Sequence, residues 1–249
     1  MTLERLLKRV QGRNVQPKKS DKIKPKNEAS AESLRKGLDT QLLKRNKKIH
    51  KQISEFHPST HQTCKRWYYL MFEGAESQPK FSARTLRIFD NGHDIHSRYR
   101  DYFTTMGILL DSEIPVYIET PAPIKGSADG LLEWGGKKLY ELKSINPERF
   151  EFRKVYKKPD EKTYKQIQLY LYALDLEDGF VIYENKGNQE VLIYSVSRDD
   201  ELIKKELRRF NNIYKIFENK NCPKRPYIRE STQCSECDLE SWCWAMVDN

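Results

Sequence analysis

The chain has 249 residues, enough for one large domain or a domain with an extension, and 33% of them are charged. With no apolar run of membrane-spanning length and no signal-peptide core, the composition excludes a membrane protein and points to a soluble, cytoplasmic one. The net charge of +9 is unevenly placed: residues 1–60 carry 16 Lys and Arg against 6 Asp and Glu, so the arm is strongly basic and the body close to neutral.

Within that arm, "TLERLLKRV" has the pattern of a short helix, and "RNVQPKKSDKIKPKNEAS" is too poor in apolar residues to hold structure alone. Leu34, Leu38, Leu42, Ile49 and Ile53 then recur at near-helical spacing with lysines between them, which predicts a basic amphipathic helix from Ala31 to Glu55. "THQTCKRWYYLMFEG" and "SARTLRIFDNGHDIHSRYRDYFTTMG" read as helices, the second ending at Gly107. Strands are expected at "VYIETPAPI", "GSADGLLEW" and "KKLYELKSI", the last two turning at Gly135 and Gly136. "DEKTYKQIQLYLYALDLE" reads as a helix capped by Asp160, followed by strands "GFVIYENK" and "EVLIYSVSR", a long helix over 199–219 and a cysteine-rich tail. The expected organisation is an arm over 1–60, an α/β core with a mixed sheet flanked by helices over 61–221, and a tail over 222–249.

One hairpin is unusual. Side chains alternate across a strand, so Glu141 and Lys143 face one side and Leu142 the other, and Asp129 sits on the neighbouring strand between Ala128 and Gly130, where small neighbours leave room for a ligand. Two carboxylates converging from adjacent strands make the oxygen-rich site that Mg²⁺ prefers, and a nearby ammonium can orient or activate a water. An isolated Glu-x-Lys is far more often a solvated edge pair. Here it has company.

The order "GSAD" at 126–129, "ELK" at 141–143 and "QIQLY" at 166–170, with "GHDIHS" upstream, resembles the PD-(D/E)xK nuclease superfamily, in its RecB-like branch. The resemblance implies a restriction-endonuclease-like core over about residues 60–249 and a Mg²⁺ or Mn²⁺ site formed by His96, Asp129, Glu141 and the Leu142 carbonyl. It also implies Lys143 beside the attacking water, Gln166 and Tyr170 supporting it, and phosphodiester hydrolysis as the reaction. Three neighbours compete for these roles. His93 shares the helix face of His96; Gln168 and Tyr172 repeat the Gln-x-x-x-Tyr spacing on another face; and the literal "PDEK" at 159–162 starts a helix, so Asp160 is an N-cap.

Cys234, Cys237 and Cys243 close the chain, and Cys64 precedes the core. A Cys-x2-Cys alone hints at zinc. One upstream cysteine completed after the whole core by C-x2-C-x5-C resembles the iron-sulfur RecB-like nucleases, among them the AddB-type and CRISPR-adaptation enzymes. That resemblance implies a [4Fe-4S] cluster acting as a structural staple, with Trp242 and Trp244 as a dry shell, although four thiolates equally satisfy Zn²⁺. Cys222 has no partner at a matching spacing and reads as an ordinary cysteine. The implied activity is a DNA exonuclease acting on ends or single strands in a bacterial or phage-infected cell, in recombination, repair or replication. No GxxxxGK[ST] motif occurs, so strand opening falls to a helicase or other partner, for which the arm is a candidate contact. The alternatives are a DNA-binding accessory factor that degrades nothing, and an RNA nuclease or integration factor that acts only in a complex.

Overall fold

The computed structural model describes residues 30–45, 52–60, 64–77 and 81–246. Its centre is a five-stranded mixed sheet in the order β1 (Leu109–Ile118), β2 (Ile124–Glu133), β3 (Lys137–Ile145), β4 (Asp178–Asn185) and β5 (Val191–Ser197). All neighbours are antiparallel except β3 and β4. That parallel pair needs a crossover, made by α4 (Pro147–Tyr156) and α5 (Glu161–Ala173). The remaining helices are α1 (Ala31–Arg45), α2 (Lys65–Phe72), α3 (Ala83–Thr105), α6 (Asp200–Glu218) and the short α7 (Thr232–Ser235) and α8 (Glu240–Ala245). Among the described residues no helix is long and apolar enough to cross a membrane.

The two sheet faces are covered differently. Ile95 and Tyr99 of α3, one turn apart, pack on Leu132, Tyr140, Leu142 and Ile182. On the other face Phe150 of α4 and Ile167, Tyr170 and Leu171 of α5 pack on Val116, Ala128, Leu139 and Val181. Behind α5, Phe210 and Ile213 of α6 join Tyr68 and Phe72 of α2.

Three expectations are corrected. The basic helix does not run to Glu55: α1 ends at Arg45, residues 46–51, Ile49 included, lie outside the described residues, and 52–60 are not helical. Phe56 is fully buried with Tyr68, Phe72 and Phe210, and its backbone bonds to Pro123 and Lys125, so this segment belongs to the core. Burying one large aromatic ring outweighs another exposed helical turn. The chain divides into two units between Leu38 and Asp39, well before residue 60. The expected "TLERLLKRV" helix and most of the "RNVQPKKSDKIKPKNEAS" stretch lie outside the described residues.

The first strand is also displaced, beginning at Leu109 and ending at Ile118. As an edge strand it pairs only with β2, tolerates Pro115 and a bulge between Leu109 and Asp111, and keeps polar residues, so its first half shows no alternation to read. Third, α4 was not expected. Its only buried residue is Phe150, so it lacks an apolar stripe; its signal is instead Asn146, whose side chain accepts from the Arg149 N–H at 2.8 Å, followed by Pro147.

Candidate metal and nuclease site

The β2–β3 ladder runs from Glu133 opposite Lys137 to Gly130 opposite Tyr140, and there it stops. Where the strands part, Asp129 takes the place of a ladder partner, its Oδ2 accepting the Leu142 N–H at 2.6 Å. A side chain at Gly130 would meet the Tyr140 ring at 2.5 Å and the Asp111 carbonyl at 2.6 Å. Gly130, one of the two small residues beside Asp129, therefore makes room for the Tyr140 ring.

Helix α3 delivers the imidazole. Buried Ile95 and Tyr99 hold it on the sheet, and Arg98 clamps it to buried Glu184 on β4 with two contacts of 2.5 and 2.6 Å. His96 Nδ1 then lies 3.3 Å from Asp129 Oδ1, and this hydrogen bond raises the His96 pKa above its ordinary value despite desolvation. His93 is exposed and lines the same cleft, of about 440 Å³, without such a contact to Asp129.

Glu141 is 1% exposed. Its Oε1 accepts from Lys143 Nζ at 2.6 Å and from Gln166 Nε2 at 2.9 Å, while Oε2, equally buried, has no hydrogen-bond partner among the described residues. Desolvation first, and the Asp129 charge second, push its pKa up to about 7. Desolvation alone would lower Lys143, but the Glu141 carboxylate outweighs it and holds the ammonium above its usual value. An orphaned carboxylate oxygen in the interior costs free energy unless a cation satisfies it. Among the described residues no group of three or more His, Cys, Asp or Glu side chains is placed to hold a metal ion as it stands. The donor set nonetheless fits a hard divalent cation: two carboxylates, one with an unsatisfied oxygen, and an imidazole beside them.

Gln166 is fixed in turn by Tyr170, whose hydroxyl lies 3.3 Å from its Nε2. The Tyr170 ring fits only because residue 126 is glycine, where a side chain would approach it to 2.9 Å. Gln168 faces elsewhere, donating to the Ser197 carbonyl at 2.9 Å and accepting from the Asp199 N–H at 2.7 Å, and Tyr172 lies under Arg198. The structure thus brings His96, Asp129, Glu141, Lys143, Gln166 and Tyr170 together and leaves out Gln168 and Tyr172. Asp160 caps α5, accepting from the Thr163 N–H, the Thr163 hydroxyl and, at 2.7 Å, the Tyr183 hydroxyl.

Burial raises the Asp160 pKa, but these hydrogen bonds outweigh it and leave the carboxyl below its ordinary range. Its contribution is present above the unfolded pKa and is lost only as pH falls through the lower folded value. Asp160→Ala is expected to cost about 1–2 kcal/mol at neutral pH, and thermal unfolding at falling pH should show the wild-type advantage vanish in acid. An unchanged Tm would remove the cap from the stability of α5.

On the far side of Lys143 a larger groove, of about 600 Å³, is lined by Arg149, Phe152, Arg153, Lys162 and Gln166 among others. Apart from Lys143, its basic residues Arg149 and Arg153 were not singled out from sequence. The Asn146-Pro147 helix start was the signal that would have placed Arg149 and Arg153 beside the Glu-x-Lys strand.

The tail docks on α2. Trp67 donates to Asp238 at 2.7 Å, Ser77 bonds the same carboxylate, and buried Arg66 reaches the Pro223 carbonyl at 2.8 Å. Between them Cys64, Cys234, Cys237 and Cys243 line one cavity of about 120 Å³, with Trp67 and Trp244 also in its wall. Trp242 is exposed and does not line it. Desolvation raises the Cys64 pKa and pushes Cys237 to about 11. Cys222 packs nearby, outside the cavity wall.

No family model matches the chain, and no curated protein matches its sequence. Among solved structures, the alkaline exonuclease LHK-Exo of Laribacter hongkongensis matches at a TM-score of 0.49, with 15% identity over 73% of this chain and 93% of that chain. LHK-Exo in complex with dAMP matches at 0.46, with 18% identity over 67% and 89%. SSO0001 matches at 0.52, with 15% identity over 86% of this chain and 97% of that chain. The fold is thus shared with a solved protein nearly all of whose length this chain spans, and the chemistry has to be read from the site itself.

Proposed function

We propose that the chain is a divalent-cation-dependent deoxyribonuclease of the PD-(D/E)xK type, acting as an exonuclease on DNA ends or single strands. The observation that carries this reading is the buried, unpartnered Glu141 Oε2 beside the Lys143 ammonium, with Asp129 and His96 adjoining. His96, Asp129, Glu141 and the Leu142 carbonyl would hold Mg²⁺ or Mn²⁺, which supplies positive charge to a phosphate and acidifies a water. Lys143, held 2.6 Å from Glu141, orients the attacking water and offsets charge developing on the phosphate. Gln166 keeps the Glu141 carboxylate from turning away, and Tyr170 keeps Gln166 in place. End-labelled single- and double-stranded DNA incubated with Mg²⁺, Mn²⁺ or EDTA tests the reading. Cleavage only with the cations is expected, and no cleavage of either substrate would reject it.

The two glutamines separate position from stability. Gln166→Ala is expected to slow cleavage about 10- to 100-fold, the usual cost of losing a group that orients a metal ligand. Gln168→Ala removes two part-buried hydrogen bonds that do not involve Asp129 or Glu141, so it should lower Tm with less effect on rate. Steady-state rates and melting curves for both variants check the assignment, and the reverse order would move the functional pair.

The same reading includes a [4Fe-4S] cluster held by Cys64, Cys234, Cys237 and Cys243 as a staple between the two ends of the core. Its support is the common cavity of about 120 Å³. Tetrahedral zinc held by the same four thiolates is the alternative.

The basic arm adds phosphate contacts or docks a helicase or recombination partner. Deleting residues 1–29, which lie outside the described residues, should flatten the salt dependence of DNA affinity by about 0.7 in log–log slope for each single-strand phosphate that the arm no longer neutralises. An unchanged slope in a salt titration would leave partner binding as the role of the arm.

A further inference from the structure

Helix α4 hides only Phe150 and turns large apolar side chains outward: Phe152 is 49%, Val155 73% and Tyr156 59% exposed. Phe152 and Tyr156 are one turn apart, with ring centroids 6.4 Å apart and planes within 24°, and the Arg153 guanidinium lies 5.9 Å from the Tyr156 ring. Single exposed apolar residues need no explanation, but a stacked aromatic pair beside a cationic groove does.

The groove that Phe152 enters is also lined by Lys143, Arg149, Arg153 and Lys162, against one carboxylate, Asp160, already committed to Thr163 and Tyr183. Among the described residues Arg149 and Lys162 have no ion-pair partner. Desolvation and then the neighbouring Lys143 charge lower the Lys162 pKa, outweighing the attraction of the Asp160 carboxylate. Glu148 and Glu151, the acidic residues of α4, are not in the groove wall. Lys143 and Gln166, the two groups that bond Glu141, are part of the groove wall.

We propose that this groove is a track for single-stranded DNA, in which Arg149 and Lys162 hold phosphates and unpaired bases stack on Phe152 and Tyr156, leading the strand to Lys143 and Glu141. The choice of a single strand follows from chemistry. Bases in a duplex are already stacked on one another and present only edges and backbone, whereas an unpaired base offers the face that an exposed aromatic ring takes up. The destination of the strand rests on the nuclease reading above; the track itself rests on α4 and its groove.

The test uses the full chain in EDTA, with a fluorescein-labelled single strand of about 20 nucleotides, long enough to cover one such site, and the matching duplex, read by anisotropy across a salt series. Phe152→Ala with Tyr156→Ala should weaken single-strand affinity about tenfold or more, given what a stacked base is worth, and change duplex affinity little. Exchanging the two rings, Phe152→Tyr with Tyr156→Phe, should keep wild-type affinity. Arg149→Gln with Lys162→Gln should reduce the single-strand log–log salt slope by about 1.4, two contacts at about 0.7 each. Unchanged single-strand affinity in the double alanine variant, or an equal loss for duplex, would overturn the track. If wild type cleaves DNA with Mg²⁺ while the double alanine variant binds normally, the track fails and the nuclease reading stands. If single-strand binding falls as expected but no divalent ion supports cleavage, the nuclease reading fails and the track stands.

Discussion

Glu141→Ala, Asp129→Ala and Lys143→Ala should each reduce Mg²⁺-dependent cleavage by a factor of about a thousand or more, because each removes a group facing the charge that develops at phosphorus. DNA binding in EDTA should persist, since these three residues are a small part of the surface that would meet phosphates. A second measurement reads the cation without activity. A site that binds an ion only when folded raises Tm as the ion is added, so Mg²⁺ or Mn²⁺ should raise the wild-type melting temperature and leave the Glu141→Ala variant unmoved. Near-normal cleavage by Glu141→Ala, or an equal cation-induced shift in both proteins, would show that the orphaned oxygen is not a ligand. Lys143→Ala should keep the thermal response and lose the rate, which separates the group beside the water from those holding the ion.

Protein purified without oxygen should be brown and contain iron with acid-labile sulfide, and Cys64→Ser or Cys243→Ser should lose both. Metal-linked folding energy is worth several kcal/mol, so loss of the group should lower Tm by about 10 °C in a chain of this size. The tail should remain partly docked even then, because Trp67 and Ser77 still bond Asp238 and Arg66 still reaches Pro223. Cys222→Ser should change neither colour nor iron content, as that thiol lies outside the cavity wall. Colourless, folded protein with one equivalent of zinc would replace the cluster by an ion and keep the staple.

Most of the core's element order was legible in the sequence, because its signals are local. The strand with Glu141 and Lys143 occupies Lys137–Ile145 as its alternation predicts, and Ser82, Asp160 and Asp199 cap their helices through side-chain bonds only three residues long. Period-two and period-3.6 patterns also sufficed to put Glu141 and Lys143 on one side of a strand and Gln166 on a turn with Tyr170. The same reasoning failed where a segment gains little from its own pattern: edge strand β1, which keeps a polar face, and α4, which buries one residue.

Only the tertiary structure decided the rest. That Asp129 bonds the Leu142 peptide follows from two strands parting after Gly130, and no local pattern encodes where a ladder ends. His96 rather than His93 meets Asp129 because Ile95, Tyr99 and the Arg98–Glu184 pair set the rotation of α3, and Glu184 lies 86 residues away from Arg98. The burial that strands Glu141 Oε2 without a partner likewise depends on helices packed from distant parts of the chain. Alternation and capping are energies between near neighbours, so they are written in short stretches of sequence. Burial and convergence of charge are set by which distant faces meet, and they exist only once the sheet has formed.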